Sequence, residues 1–176
     1  MKKEILTRIY KIDRWMAFRN RVKQLGIDEI TKYCISSAKL ILRIFEAYLV
    51  KKTCPEVFSF KDKFALAVAN MELFEEGKAC SVRQSFRELH LFAKASYEDR
   101  FVNLIVSVIF NLERVIIPCI DYLISVKEKT PFDNAAYFYV STDLEYFAYF
   151  AYLYELSLLC KNWNKLKQVS KESNLL

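Results

Sequence analysis

The histidine His90 is the residue of this sequence best suited to acid–base chemistry. It is the only histidine in the chain, and an imidazole gains or loses a proton near neutral pH. Arg83 precedes it, with six residues between the two, so this pair is the first candidate for catalysis. Any serine or cysteine nucleophile would have to use the same histidine, and no local signature of such a pair is present.

The spacing of Arg83 and His90 resembles the signature of HEPN ribonucleases, in which four to six residues separate an arginine from a histidine. Within these eight residues, Gln84 also fits the polar residue that often follows the arginine in that family. The resemblance implies a small helical domain in which Arg83 and His90 act together on RNA, usually across a dimer. The residues alone leave a second interpretation open, because positions seven apart lie on one face of a helix and can be ordinary surface side chains.

Other residue types with catalytic or metal-binding potential form no recognisable site. The sequence has no Gly-rich phosphate loop, no HExxH pair and no EF-hand loop. Its five cysteines are widely spread and include no CxxC pair. The adjacent carboxylates Glu75–Glu76 and Glu98–Asp99 would point about 100° apart on a helix and would not converge. We therefore predict no metal site and no cofactor, and we expect a protein without enzymatic activity.

Aromatic residues are concentrated between residues 132 and 154, where ten of the 23 residues are tyrosine or phenylalanine. Tyrosine offers a large rigid surface with a polar tip, as protein interfaces require. We predict that four of these tyrosines bind a protein partner: Tyr139, Tyr146, Tyr149 and Tyr152. The alternative is a core helix packed on the 97–127 helix. Stacking of nucleic-acid bases is a third interpretation, and the acidic residues between 143 and 155 argue against it.

Positive charge is concentrated at the two ends of the chain. Residues 1–25 carry eight Lys and Arg side chains against two acidic ones, residues 161–176 carry four Lys against one Glu, and the remainder is slightly acidic. Five basic residues are predicted to contact phosphates of a nucleic acid: Lys2, Lys3, Lys11, Arg14 and Arg21. Affinity through such contacts falls with salt. An anionic lipid surface and the solvated outer face of a packed helix are the alternatives that stay open.

The composition predicts an all-α fold, because two glycines and three prolines in 176 residues are too few for the turns of a sandwich, a barrel or a Rossmann-type fold. A chain of this length forms one domain, so we predict a single helical domain over 1–176. The dispersed cysteines fit a reducing compartment, and we expect a cytoplasmic protein. Ionised residues in the apolar stretches 101–126 and 135–160 predict core helices and no transmembrane segment.

Apolar residues at steps of three and four predict a bundle of about six or seven helices. The predicted ranges are 3–24, 29–52, 60–76, 82–95, 97–127 and 143–160, with a shorter helical piece at 134–140. Gly77 is the predicted stop after the 60–76 helix, and Ser81 with Gln84 is the predicted capping box of the 82–95 helix. An extension of the last helix from Trp163 onwards is left open. The 97–127 helix is expected at the centre of the bundle, kinked near Pro118. The basic amphipathic helix 3–24 is expected at the periphery, and the tail 170–176 is expected to fray.

These features together predict a non-enzymatic, intracellular module that binds another protein through an aromatic helical face. Candidate roles are an inhibitor or immunity factor, an adaptor and an effector. The first alternative is a helical subunit that binds nucleic acid through its basic termini. The second is a HEPN-like ribonuclease that uses Arg83 and His90. Assembly into a homo-oligomer is compatible with all three hypotheses.

Overall fold

The structure is a computed structural model that describes residues 26–50, 55–78, 81–94, 97–128 and 143–172. These residues form five α-helices and no strand, which confirms the all-α prediction. The helices are α1 (Ile27–Leu49), α2 (Pro55–Glu75), α3 (Val82–His90), α4 (Arg100–Glu128) and α5 (Asp143–Glu172). The predicted helices 3–24 and 134–140 lie outside the described residues, so a total of six or seven helices stays a prediction.

The central part of the core runs along α4, which packs against α1, α3 and α5. Buried residues recur along α4 at helical spacing, among them Ile105, Ile109, Leu112 and Ile116, as in a helix covered on several sides. Contacts of α1 with α2 and of α2 with α3 complete a closed circuit of four helices, and α5 packs on α4. The helix continues through Pro118, where the kink stays a prediction.

A proline begins α2 and a glycine ends it, and only the second of these was predicted from the sequence. The helix begins at Pro55, so the predicted start at residue 60 is wrong. Proline suits the first helical position because an N–H there has no intrahelical partner. At the other end, the backbone N–H groups of Gly77 and Lys78 donate to the carbonyls of Phe74 and Leu73, each at 2.9 Å. With φ at 75° for Gly77, this Schellman motif confirms Gly77 as the predicted stop.

Side-chain caps hold α3 and the start of α4. The hydroxyl of Ser81 accepts the backbone N–H of Gln84 at 3.4 Å, as the predicted cap requires. The helix ends at His90, so the predicted extension to residue 95 is wrong. One carboxylate oxygen of Asp99 then accepts two backbone N–H groups from the first turn of α4, at 2.8 and 3.3 Å. The caps of Ser81 and Asp99 therefore mark where α3 and α4 begin, and α3 is a short helix that ends before the second cap.

The last helix, α5, extends to Glu172, so the chain continues the 143–160 helix through Trp163, the extension that the sequence left open. The extension continues a buried stripe through Leu156, Leu159 and Trp163. The Trp163 ring stacks on Phe101 of α4, with 6.2 Å between ring centroids. Residues 170–172 are helical, and the rest of the predicted frayed tail lies outside the described residues.

Candidate functional site

Two side chains of α3 reach across to α4. Four residues of α3 face the core, namely Val82, Ser85, Phe86 and Leu89, which leaves Arg83 and His90 on the adjoining face. Arg83 pairs with Asp121 and His90 pairs with Glu113, so the two helices run antiparallel here. We call the surface formed by these residues and two neighbouring arginines the α3–α4 charged face: Arg83, Arg87, His90, Glu113, Arg114 and Asp121.

The ring of His90 is held from two directions. Its Nε2 lies 2.8 Å from Oε2 of Glu113, and the ring stacks on Phe110, with 4.7 Å between centroids and 7° between planes. The His90 side chain is 51% exposed and the Glu113 side chain 22%, so solvent reaches the other edge of the imidazole. A carboxylate that orients an imidazole is an arrangement that acid–base catalysis uses. A substrate proton would be exchanged at the open Nδ1 edge.

Arg83 is engaged by a different carboxylate from His90. Its Nη2 donates to Oδ2 of Asp121. Arg83 and His90 share one helix face, yet seven residues separate them by about 10 Å along the axis. Both carboxylates belong to the same chain as the residues they bind, so the face forms within one copy. Joint action of Arg83 and His90 on RNA, which the HEPN resemblance implies, stays a prediction.

Sequence reasoning overlooked two arginines of this face. Arg87 lies one helical turn from both Arg83 and His90, and it is exposed. Arg114 follows Glu113 and is also exposed; its Nη1 donates one long hydrogen bond, 3.5 Å, to Asn111. Within the described part of the chain neither arginine forms an ion pair with a carboxylate. The spacing of Arg87 from Arg83 and His90 was the signal available in the sequence.

Tyr149 and Tyr152, two of the predicted partner-binding tyrosines, lie in the core. Tyr152 is 0% exposed and Tyr149 is 5% exposed. The hydroxyl of Tyr152 is hydrogen-bonded to Oγ of Ser37 on α1, and the Tyr149 ring meets Tyr33 edge-on, with 6.5 Å between centroids. Burial raises the pKa of both phenols above its ordinary value. Tyr149 and Tyr152 thus occupy the positions expected of the alternative, a core helix packed on α4.

The other two tyrosines contribute nothing to a described surface. Tyr139 lies outside the described residues, as does the side chain of Tyr146. Tyr154, eight residues after Tyr146, is 57% exposed. Partner binding by the four tyrosines stays a prediction, and an exposed surface of this protein must be sought elsewhere.

The helix α2 exposes an apolar face opposite its buried one. The buried residues are Val57, Phe60, Phe64, Ala67, Val68 and Met71. On the opposite side lie Phe58, Asp62, Ala65, Leu66, Ala69 and Leu73, which we call the α2 outer face. Phe58 is 39% exposed and Leu66 is 45% exposed. A surface helix normally has a polar outer side. On α2 five of these six residues are apolar, and the exposed Ser59 lies at the edge of the face beside Leu66.

Ion pairs border the α2 outer face on both sides. Lys39 of α1 pairs with Glu72 at 2.9 Å, and Glu88 of α3 pairs with Lys63 at 3.0 Å. Asp62, inside the face, pairs with the adjacent Lys61 at 2.7 Å. These charged groups pair with one another at the border, and the surface that they enclose is mainly apolar.

The basic residues predicted to bind nucleic acid are Lys2, Lys3, Lys11, Arg14 and Arg21, and all lie outside the described residues. Towards the other end, Lys161, Lys165 and Lys167 of α5 are exposed. Nζ of Lys167 lies 5.1 Å from the ring centroid of Trp163, a cation–π contact within the helix. Nucleic-acid binding through the termini stays a prediction.

An open cleft of about 580 Å³ lies where the start of α1, the end of α2 and the end of α4 meet. Its lining combines apolar side chains such as Ile35, Phe74 and Leu123 with three acidic and three lysine side chains. The balanced charges favour no single sign of ligand. Among the described residues, no group of three His, Cys, Asp or Glu side chains is placed to hold a metal ion.

By length and composition alone, α4 could cross a membrane, and it is the one helix in the described ranges with this property. Of its most apolar window, 44% is buried, and the core helix of a soluble protein passes the same test. Neither the absence of a transmembrane segment nor the cytoplasmic location is decided by this result, and both stay predictions.

Comparisons with protein-family models, with curated proteins and with solved structures give no match for this chain. Two surfaces of the described residues bear on its function, the α3–α4 charged face and the α2 outer face.

Proposed function

We propose that this protein is a non-enzymatic module that binds another protein through the α2 outer face. The observation that carries the proposal is that α2 is apolar on two opposite sides, of which one is exposed. Exposed apolar surface with a polar border is typical of protein-interaction sites. An inhibitor or immunity factor, an adaptor and an effector would each use such a surface. We choose α2 in preference to the aromatic helix α5 because Tyr149 and Tyr152 of α5 are buried and so cannot meet a partner on the surface.

The partner segment that fits this face best is an amphipathic helix. Ala65 and Ala69 form the low centre of the face, where a second helix can approach closely. Phe58 and Leu73 stand at the two ends and Leu66 at one side, so apolar anchors on the partner at helical spacing would meet them. A basic residue on the partner would meet Asp62. The resulting contact is an added helix on the outside of the bundle.

A charge placed on this face should weaken the complex strongly. Burying the exposed part of Leu66 contributes roughly 1 kcal/mol to association. The substitution Leu66→Lys removes this term and adds the cost of desolvating an ammonium group. We expect the dissociation constant to rise more than tenfold, since each 1.4 kcal/mol is a factor of about ten. Leu66 is 45% exposed, so the fold should tolerate the change.

A photo-crosslinking amino acid at Ala69 tests the proposal in cells that express the protein. The expected result is one discrete adduct with another protein, strongly reduced by Leu66→Lys on the same chain. Val126→Lys is the matched control, because Val126 is 58% exposed and lies on α4, outside the face. Thermal unfolding of each variant by circular dichroism shows that the fold is retained.

Two outcomes would contradict the proposal. One is the absence of any discrete adduct at Ala69, and the other is an adduct that survives Leu66→Lys. An adduct with the mass of two copies of this chain would identify a homo-oligomer contact in place of a foreign partner.

A further inference from the structure

We infer that the α3–α4 charged face binds a phosphate group, held by Arg87 and Arg114 beside His90. This goes beyond the proposed protein binding, and it uses none of the residues of the α2 outer face. The inference starts from a difference among the charged groups. Arg83 pairs with the carboxylate of Asp121, and His90 pairs with that of Glu113. The guanidinium groups of Arg87 and Arg114 form no ion pair with any described carboxylate.

The antiparallel pairing places these two arginines close together along the helices. Arg83 meets Asp121 and His90 meets Glu113. Because the helices are antiparallel, Arg87, which is four residues after Arg83, lies level with about residue 117 of α4, four residues before Asp121. Arg114 is about three residues away from that level, or ~4.5 Å at the rise of an α-helix. Both side chains are exposed. A tetrahedral group bound between α3 and α4 beside His90 can therefore contact both arginines.

Nearby carboxylates do not occupy these arginines. Glu155 of α5 accepts hydrogen bonds from Asn111 at 2.7 Å and from Ser107 at 2.9 Å. Glu88 of α3 is turned the other way, to Lys63 at 3.0 Å. With Asp121 and Glu113 also engaged, the two arginines and the open edge of His90 present the positive side of this face.

The chemistry of these groups favours phosphate among the common anions. Guanidinium groups form paired hydrogen bonds with the oxygens of a phosphate, in a geometry that a spherical ion such as chloride cannot use. The open Nδ1 edge of His90 can add a third contact when the imidazole is protonated. The group can be free phosphate or part of a phosphate ester, because only the phosphoryl oxygens are contacted.

The single histidine provides a direct reporter of this site. In protein without a histidine tag, the Cε1 proton of His90 gives the only histidine signal of its kind in a proton NMR spectrum, since the chain has one histidine. Sodium phosphate is titrated into the protein at one pH, against sodium chloride of equal ionic strength, because salt screens exposed charges. A second titration with adenosine monophosphate compares a phosphate ester with the free ion.

The expected result is a saturable shift of the His90 signal with phosphate that chloride does not produce. Arg87→Gln with Arg114→Gln should weaken this binding at least tenfold. The matched control, Arg43→Gln with Arg100→Gln, removes the same charge from exposed arginines elsewhere and should titrate like the wild type. Tighter binding of adenosine monophosphate would show that an ester is the preferred form, and equal binding would show that the phosphate group alone is recognised. An equal shift with chloride, or unchanged binding in the Arg87 and Arg114 double variant, would overturn the inference.

Discussion

The hydrogen bond between Ser37 and Tyr152 gives the sharpest test of how α5 is joined to the bundle. Oγ of Ser37 donates to backbone carbonyls of its own helix, those of Tyr33 at 2.9 Å and Cys34 at 3.0 Å. A serine hydroxyl has one proton; with that proton on the backbone carbonyls, we assign the Tyr152 hydroxyl as the donor between the two side chains. Both groups are buried, so water cannot replace either partner.

The two single substitutions should differ in their effects. Tyr152→Phe removes the donor and leaves Ser37 with its carbonyl contacts, so we expect a loss of about 0.5–1.5 kcal/mol in the free energy of unfolding. Ser37→Ala leaves the buried Tyr152 hydroxyl without its partner, at a cost of about 1–3 kcal/mol. Alanine also favours the helix by a few tenths of a kcal/mol, but this term appears on both arms of a double-mutant cycle and cancels there.

The double variant decides the question. Because Ser37→Ala with Tyr152→Phe removes both partners, we expect it to be about as stable as Ser37→Ala alone, since a coupling of about 1 kcal/mol offsets the loss expected for Tyr152→Phe. Urea unfolding followed by far-ultraviolet circular dichroism measures each free energy, provided that the denaturant slopes agree among variants. Ser125→Ala is the matched control, because Ser125 is buried and its hydroxyl donates to the backbone carbonyl of Tyr122, within its own helix, at 2.8 Å.

An additive double variant would refute this reasoning. If the losses for Ser37→Ala and Tyr152→Phe simply sum, as expected for Ser125→Ala combined with Tyr152→Phe, the two hydroxyls do not interact. Stability unchanged in Tyr152→Phe, together with weaker binding of a partner, would instead favour the prediction that Tyr152 lies at an interface.

Two further predictions concern alkaline pH and RNA. Burial raises the pKa of the Tyr149 and Tyr152 phenols and of the Cys34 thiol in the folded protein. In the unfolded chain tyrosine loses its proton near pH 10 and cysteine near pH 8.5, whereas the folded protein keeps these protons at those pH values. Stability should therefore be full below about pH 8.5 and fall as the pH rises above it, most steeply above about pH 10, where the tyrosines of the unfolded chain ionise. Urea midpoints above about pH 10 should fall less with pH in Tyr149→Phe with Tyr152→Phe, and an identical pH dependence in this variant would contradict the burial. The HEPN resemblance makes a separate prediction, that cleavage of single-stranded RNA by the wild type falls at least a hundredfold in His90→Ala, and either an inactive wild type or an active variant would exclude that hypothesis.

The helices of this protein could largely be predicted from sequence because their apolar spacing is regular and several ends carry local signals. Gly77 and Ser81 act as the stop and the cap that their residue types indicate. The start of α2 at Pro55 could have been read from proline at a first helical position. The end of α3 at His90 has no such marker, and Asp99, which caps α4, also accepts a hydrogen bond from the Tyr48 hydroxyl of α1 at 2.6 Å, a contact that local sequence does not reveal.

The surfaces were harder to predict, because they depend on pairs far apart in sequence. Tyr152 is buried against Ser37, 115 residues earlier, and an aromatic stripe gives no indication of whether a helix will cover it. The partners of Arg83 and His90 lie on α4, and spacing within α3 cannot identify them. The α2 outer face was missed because apolar residues on both sides of a helix suggest complete burial when the neighbouring helices are unknown.

The position of α4 in the bundle also has a consequence for synthesis on the ribosome. About 50 residues separate the end of α1 at Leu49 from the start of α4 at Arg100, which corresponds to roughly 3–10 s of translation. During this time α1 is made without α4, on which it packs in the fold, and α1 carries residues such as Ile41 and Phe45, both 0% exposed in the fold. Slower translation between Leu49 and Arg100 should lengthen this exposure and increase capture by chaperones.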